Sequence, residues 1–190
     1  MQSEENRGEI LDQALRDFPE EPILVARRIS YQFKKCTIDL DPEFKRPNIA
    51  LKTVTRAQLN QMRQDLKAAK ASAPANSFFD YAAAAVEILA MNEESALQHV
   101  ETANRNIGFN LYSREGSAHL KMLSELCDDL PLEILARTDF AFDDDELLLE
   151  AVARSVLGCA KAAESRGDVT RALNLQGWVM RLGRSRVKPR

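Results

Sequence analysis

The chain has 190 residues, of which 45% are hydrophobic and 29% charged, and its formal net charge is −3. This size and composition are typical of one compact globular domain and exclude an intrinsically disordered chain. The charge is segregated: residues 1–75 carry a net +2, residues 76–150 a net −12 and residues 151–190 a net +7. Such segregation bears on binding partners and not on fold or catalysis.

Residues 4–18 form the first predicted helix, which has apolar side chains on one side, and Pro19 ends this helix. Pro22 can start a second helix, in which apolar residues recur at three- and four-residue spacing. Helical periodicity of this kind continues through most of the sequence, whereas the alternation typical of strands is nearly absent. We assign residues 1–36 to an N-terminal helical pair.

Residues 37–54 are the least helical part of the sequence. Two X-Pro pairs interrupt this segment, and residues 37–40 can form a short extended piece. We predict an irregular connection over residues 37–54, then a main helical domain over residues 55–183 and a flexible basic tail over residues 184–190.

Thr55 is the predicted N-cap of a helix that ends near Ala71. Its apolar stripe is narrow and contains Leu59, Met62 and Leu66. A stripe of this width either packs on the chain's own core or is completed by a helix of a partner. If a partner completes it, Leu59→Asp or Leu66→Asp abolishes association and leaves the helical circular dichroism and the melting largely intact. If the stripe is internal, these changes unfold the protein.

Residues 77–91 are apolar on nearly every side, which predicts the central core helix. Asn92 is the predicted N-cap of the next helix, and Ser113 and Pro131 begin two more. Asp143 leads a long helix whose first turn is acidic, as the helix dipole favours. We therefore predict an all-α protein of about seven to nine helices, arranged as a helical bundle or a short stack of antiparallel helical hairpins.

Gly167 and Asp168 separate the last two predicted helices, the glycine as a left-handed C-cap and the aspartate as the N-cap that follows. The segment 155–183 is similar to a single tetratricopeptide-type hairpin. Its small packing positions are Ala160, Ala163 and Ala172. The segment lacks the aromatic and proline positions of that repeat, and no fixed period links it to an earlier hairpin, so the resemblance implies a hairpin and no functional residues.

The sequence contains no motif for catalysis, cofactor binding or metal binding. The two histidines, His99 and His119, fit none of the HExxH, Glu-x-x-His or zinc-ligand spacings. The seven glycines are scattered singly, so no glycine-rich phosphate loop is present. We expect no catalytic residue, no cofactor and no metal site.

The expected cellular environment is the cytoplasm of a bacterium, with no membrane partner. The longest apolar tract, residues 81–91, contains Glu87 and is too short to cross a bilayer, and the N-terminus is polar and acidic. Three cysteines far apart in sequence indicate a reducing compartment. Two of them, Cys127 and Cys159, lie on apolar helical stripes and are predicted to be unreactive.

The charge pattern and the absence of catalytic motifs predict a non-enzymatic helical protein–protein interaction module, such as an adaptor, regulatory or secretion-associated protein. It would use its acidic middle and its basic C-terminal end to bind a protein partner, a second copy of the chain included. The alternative is a nucleic-acid-binding regulator with phosphate contacts from the basic C-terminus and residues 27–35, and a small helical enzyme is a third hypothesis. The candidate partner-binding residues are Leu59, Met62, Leu66, Arg181, Arg184, Arg186, Lys188 and Arg190.

Overall fold

The predicted all-α fold is confirmed by a computed structural model. The model describes residues 2–19, 21–39, 49–51, 54–106, 108–111 and 141–186. Within these ranges the chain forms seven helices, which together build a helical bundle. The helices are α1 (Gln2–Asp17), α2 (Pro22–Lys35), α3 (Arg56–Ser72), α4 (Phe78–Leu89), α5 (Glu93–Arg105), α6 (Ala141–Ser165) and α7 (Val169–Arg186).

The helix ends follow the predicted local signals. Pro22 occupies the first turn of α2, where its missing N–H costs nothing. Thr55 and Gln58 form a capping box at the start of α3: the Gln58 N–H donates to Thr55 Oγ1 at 3.2 Å, and the Thr55 N–H donates to Gln58 Oε1 at 2.9 Å. At the start of α5, Asn92 accepts a hydrogen bond from the Ser95 N–H at 3.3 Å.

The turn between α6 and α7 has the predicted Gly-Asp geometry. Gly167 has a φ of +80°, in the left-handed region that only glycine enters without strain. The Asp168 carboxylate then accepts a hydrogen bond from the Arg171 N–H at 3.0 Å, which caps α7. These two residues therefore reverse the chain and bring α7 back along α6.

Two short strands lie at the ends of the segment predicted as an irregular connection. Strand β1 (Thr37–Asp39) pairs antiparallel with β2 (Ile49–Leu51), with Thr37 opposite Leu51. The β-branched residues of these strands suit an extended backbone. Only the extended piece at 37–40 was anticipated from the sequence, because its pairing partner is too short to show a period of two.

Helix α4 is the centre of the core, as its apolar sequence predicts. It contacts α2, α3, α5 and α6, and three of its four consecutive alanines are fully buried, so neighbouring helices approach it closely. Burial raises the pKa of Tyr81, in the second turn of this helix, to about 12. Helix α7 lies further out and packs mainly on α6 and α5.

Some predictions fall outside the described part of the chain. The helices expected to begin at Ser113 and Pro131 lie in residues 112–140, which are outside the described ranges. Of the basic tail predicted over residues 184–190, the structure describes the backbone of residues 184–186, which belong to α7, and the side chain of Arg184 alone. Among the helices that are described, none combines the length and the apolar character needed to cross a membrane.

Candidate interaction surface and charged clusters

The apolar stripe of α3 packs on the chain's own core. Met62 and Leu66 are 2% and 5% exposed, and Leu59 packs half-buried against the same core. The helices that cover this stripe are α2 and α4. Leu59, Met62 and Leu66 therefore follow the first of the two predicted alternatives: they pack on the chain's own core and not on a partner helix.

Three of the five candidate basic residues near the C-terminus, Arg181, Arg184 and Arg186, belong to α7. Arg181 and Arg184 are exposed on this helix, whereas the side chain of Arg186 and the whole of Lys188 and Arg190 lie outside the described residues. Helix α7 contains four arginines and no Asp or Glu. It is therefore a strongly positive element that follows a markedly acidic stretch of sequence.

Helix α7 also exposes an apolar face. Val169, Leu173 and Met180 are 57%, 62% and 61% exposed, although its opposite side buries Leu175 and Leu182 in the core. Leu173 follows Val169 by four residues and Met180 follows Leu173 by seven, which places the three on one side of the helix. We call this side, formed by Val169, Leu173 and Met180, the outer face of α7.

A third side of α7 borders a shallow groove of about 340 Å³ against α5. Arg171, Asn174 and Trp178 line it from α7, and Glu101 lines it from α5. Both walls of the groove combine polar with apolar side chains, and the α7 wall carries one aromatic ring.

Two ion pairs with buried carboxylates join α3 to α4. Arg63 donates to both oxygens of Glu87, from Nε at 2.7 Å and from a terminal nitrogen at 2.8 Å, and Lys70 pairs with Asp80. The Asp80 and Glu87 side chains are 1% and 8% exposed, whereas the two cations reach solvent. A carboxylate at this depth requires such a partner, because desolvation of an unpaired charge costs several kcal/mol, of the order of 3–5.

All four carboxylate oxygens of Asp80 and Glu87 accept a hydrogen bond. Asn106 donates to the second oxygen of Asp80 at 2.9 Å, and Asn92 donates to Glu87 at 3.3 Å. The hydrogen bonds from Arg63 hold the pKa of Glu87 below its usual value and raise the pKa of Arg63. The two carboxylates therefore join α3 to α4 through hydrogen-bonded ion pairs.

His99 of α5 lines a cavity of about 320 Å³ between α3, α4 and α5, and Asp80 and Glu87 line the same cavity. Burial lowers the pKa of His99, and the nearby Glu87 and Asp80 charges oppose that shift. The histidine is therefore mainly neutral at pH 7. Within the described ranges, no group of three or more His, Cys, Asp or Glu side chains is arranged to hold a metal ion.

A second charged cluster joins α2 to its neighbours. Arg27 pairs with the buried Asp145 of α6, which also accepts a hydrogen bond from Ser30. Arg28 pairs with Asp12 of α1 at 3.0 Å and with Asp65 of α3 at 3.1 Å. Two of the basic residues in the segment 27–35 are therefore engaged inside the fold.

Cys159 has the character predicted for a core thiol. It is buried in α6, and burial raises its pKa to about 11, so the reactive thiolate is scarce at neutral pH. Cys36 is also buried, at the C-terminal end of α2. Cys127 lies outside the described residues.

Comparisons with known proteins identify no relative of this chain. No family model matches it, and neither the curated proteins nor the solved structures contain a match.

Proposed function

We propose that the protein is a non-enzymatic helical protein–protein interaction module that binds through the outer face of α7. The observation that carries the proposal is the exposure of Val169, Leu173 and Met180 on one side of this helix. Several large apolar side chains exposed on one side of a helix are typical of a protein interaction site. A helix that docks on such a face contacts it through residues spaced by three, four and seven positions.

The chemistry of the partner follows from the charge of α7. Because α7 has four arginines and no acidic residue, a partner with carboxylates beside its apolar residues is attracted and a basic partner is repelled. The occupant we propose is therefore a helix with an apolar face and an acidic edge. Burial of Leu173 and Met180 would supply affinity, and the charges would supply orientation and specificity.

Nucleic acid is the competing occupant of a basic surface. Phosphate contacts need several free cations, but Arg27 and Arg28 of the segment 27–35 are already paired with carboxylates inside the fold. Exposed leucine and methionine side chains also add nothing to phosphate binding. These two observations favour a protein partner over nucleic acid.

The proposal is tested by affinity capture from a lysate, with and without nuclease treatment, on three immobilised chains. They are the wild type, the double variant Leu173→Asp/Met180→Asp, and Met91→Asp as a control. Met91 is 87% exposed in the turn between α4 and α5, is not part of α7, and has a φ of 57° that aspartate tolerates. The control therefore adds the same kind of charge without touching the outer face of α7.

We expect a protein that is retained by the wild type and by Met91→Asp and is lost with the double variant. Cross-linking followed by mass spectrometry should place the contact on α7 and on a helix with acidic residues in the captured protein. Equal retention by all three chains would contradict the proposal. Loss of all bound material after nuclease treatment would replace it with the nucleic-acid alternative.

A further inference from the structure

The cavity between α3, α4 and α5 has one cation more than it has carboxylates. Its α3 wall carries Arg63, Lys67 and Lys70, whereas its α4 wall carries Asp80 and Glu87. Spacings of four and three residues place the three cations on one face of α3. With the histidine neutral, three positive and two negative side chains give the lining a formal charge of +1.

The cation without a carboxylate is Lys67. The two ion pairs between α3 and α4 engage Arg63 and Lys70. Lys67 lies between these two cations along α3, and the cavity residue at the corresponding place between the two carboxylates of α4 is Ala83. No carboxylate in the described part of the chain forms an ion pair with Lys67. The middle of the cavity therefore combines an ammonium group with a methyl group, where a third ion pair would need a carboxylate.

Much of the remaining lining is apolar. Leu66, Phe79 and Val86 are buried core residues that also line the cavity. His99 adds one imidazole from α5, which when neutral can donate one hydrogen bond. The volume of about 320 Å³ lies at the lower end of the range for small-molecule sites, about 300–1,000 Å³. Such sites combine apolar walls with a few polar groups that fix the orientation of the ligand.

We propose that this cavity binds a small organic monocarboxylate with an apolar body. The carboxylate pairs with Lys67, and the apolar body lies against Leu66, Phe79 and Val86, where its burial supplies affinity. One negative charge balances the single cation that has no carboxylate. A dianion brings a second charge that no further cation meets, a neutral ligand leaves Lys67 unpaired, and a cationic ligand is repelled.

The test is titration of the isotopically labelled full chain with 3-phenylpropionate at pH 7, followed by the amide signals in NMR spectra. We expect saturable binding with a Kd below about 1 mM, and signal changes centred on the cavity residues of α3 and α4 and on His99. The neutral analogue 3-phenylpropanol and the cationic analogue 3-phenylpropylamine should each bind about threefold or more weakly, because neither pairs with Lys67. Absence of saturable binding, equal binding of the three compounds, or changes centred on α7 would overturn the proposal.

Two variants test the charge and the space of the cavity separately. Lys67→Met removes the cation at an exposed position and should raise the Kd about threefold or more, whereas Lys161→Met removes an exposed lysine of α6 and should leave it unchanged. Ala83→Leu fills the cavity and should raise the Kd about tenfold or more. Ala68→Leu is its control, since Ala68 is exposed on α3 and does not line the cavity.

Circular dichroism establishes which of these variants are folded. If Ala83→Leu fails to fold, Lys67→Met decides the question, because its side chain is exposed and its loss leaves the core intact. Unchanged affinity for 3-phenylpropionate in either folded cavity variant would overturn the proposal.

The cavity site is independent of the interaction module proposed above. None of Val169, Leu173 and Met180 lines the cavity. The double variant Leu173→Asp/Met180→Asp should therefore bind 3-phenylpropionate with the affinity of the wild type. Loss of protein capture with retained carboxylate binding affects only the module, and the reverse result affects only the cavity site.

Discussion

The helix pairs α3–α4 and α6–α7 use their charged and apolar residues in opposite ways. In α3–α4 the cations meet buried carboxylates inside the fold, and the apolar stripe of α3 is covered by α2 and α4. In α7, Arg171, Arg181 and Arg184 are exposed, and three large apolar side chains of the same helix are exposed too. Helices α3 and α7 both combine an apolar stripe with basic residues. They use these residues differently because α3 lies between other helices, whereas α7 lies at the edge of the bundle.

The largest expected effect tests the difference in burial between the two apolar stripes. Leu66→Asp places a carboxylate in the core, where Leu66 is 5% exposed, and we expect it to reduce the free energy of unfolding by about 4 kcal/mol or more. Leu173→Asp, at a site 62% exposed, should change it by no more than about 0.5 kcal/mol. Urea unfolding followed by circular dichroism measures both. Equal stability of the two variants would contradict the assignment of the α3 stripe to the core.

The next effect tests whether the ion pairs of α3–α4 compensate buried charge. Lys70→Met leaves the carboxylate of Asp80 without its cation, and we expect a loss of about 1–3 kcal/mol. The loss should fall below that of a fully buried pair, because Lys70 is 43% exposed and water can reach the site. Lys67→Met is the matched control, since Lys67 is exposed on the same helix and lines the same cavity. Equal melting temperatures for the two variants would show that Asp80 does not need Lys70.

An effect of similar size compares tight packing with open surface. A Cβ at Gly108 would lie 2.2 Å from the Ala75 carbonyl oxygen, so Gly108→Ala must shift the backbone, at a cost of about 1–3 kcal/mol. Gly158 of α6 has nothing within 4 Å, and Gly158→Ala should stabilise the protein by about 0.5–1 kcal/mol through helix propensity. Thermal melting of the two variants measures both signs. A stable Gly108→Ala chain would contradict the close contact between residues 75 and 108.

The smallest effect is a pH dependence at His99. Because burial lowers the pKa of folded His99, the unfolded chain binds a proton first as the pH falls below about 6.5. Stability should therefore fall as the pH decreases from 6.5 towards the lowered pKa of the folded state, and His99→Gln should remove this part of the slope. Glu87, whose pKa is also lowered, acts only at more acidic pH. Urea midpoints between about pH 7.5 and 5 measure the difference, and unchanged slopes would contradict it.

The paired charges of α3 and α4 left a signal in the sequence that the motif search did not use. Arg63 and Lys70 are seven residues apart, and so are Asp80 and Glu87. In two consecutive helices joined by a short turn, equal spacing allows the first cation to meet the last carboxylate and the last cation to meet the first. The signal is visible only when the two helices are considered together, which single-helix periodicity does not do.

Local chemistry explains which predictions agree with the structure. The capping box at Thr55, the cap at Asn92 and the Gly167 turn each depend on residues within a few positions of one another, and the all-apolar character of residues 77–91 requires burial whatever surrounds it. The helices, their ends and the central position of α4 therefore follow from the sequence. Which face of a helix is covered depends instead on neighbours distant in sequence. The burial of Leu66, the pairing of Arg27 with Asp145 and the exposure of Leu173 were decided only when the chain packed, because a narrow apolar stripe and a row of charges suit either an interior contact or an open surface.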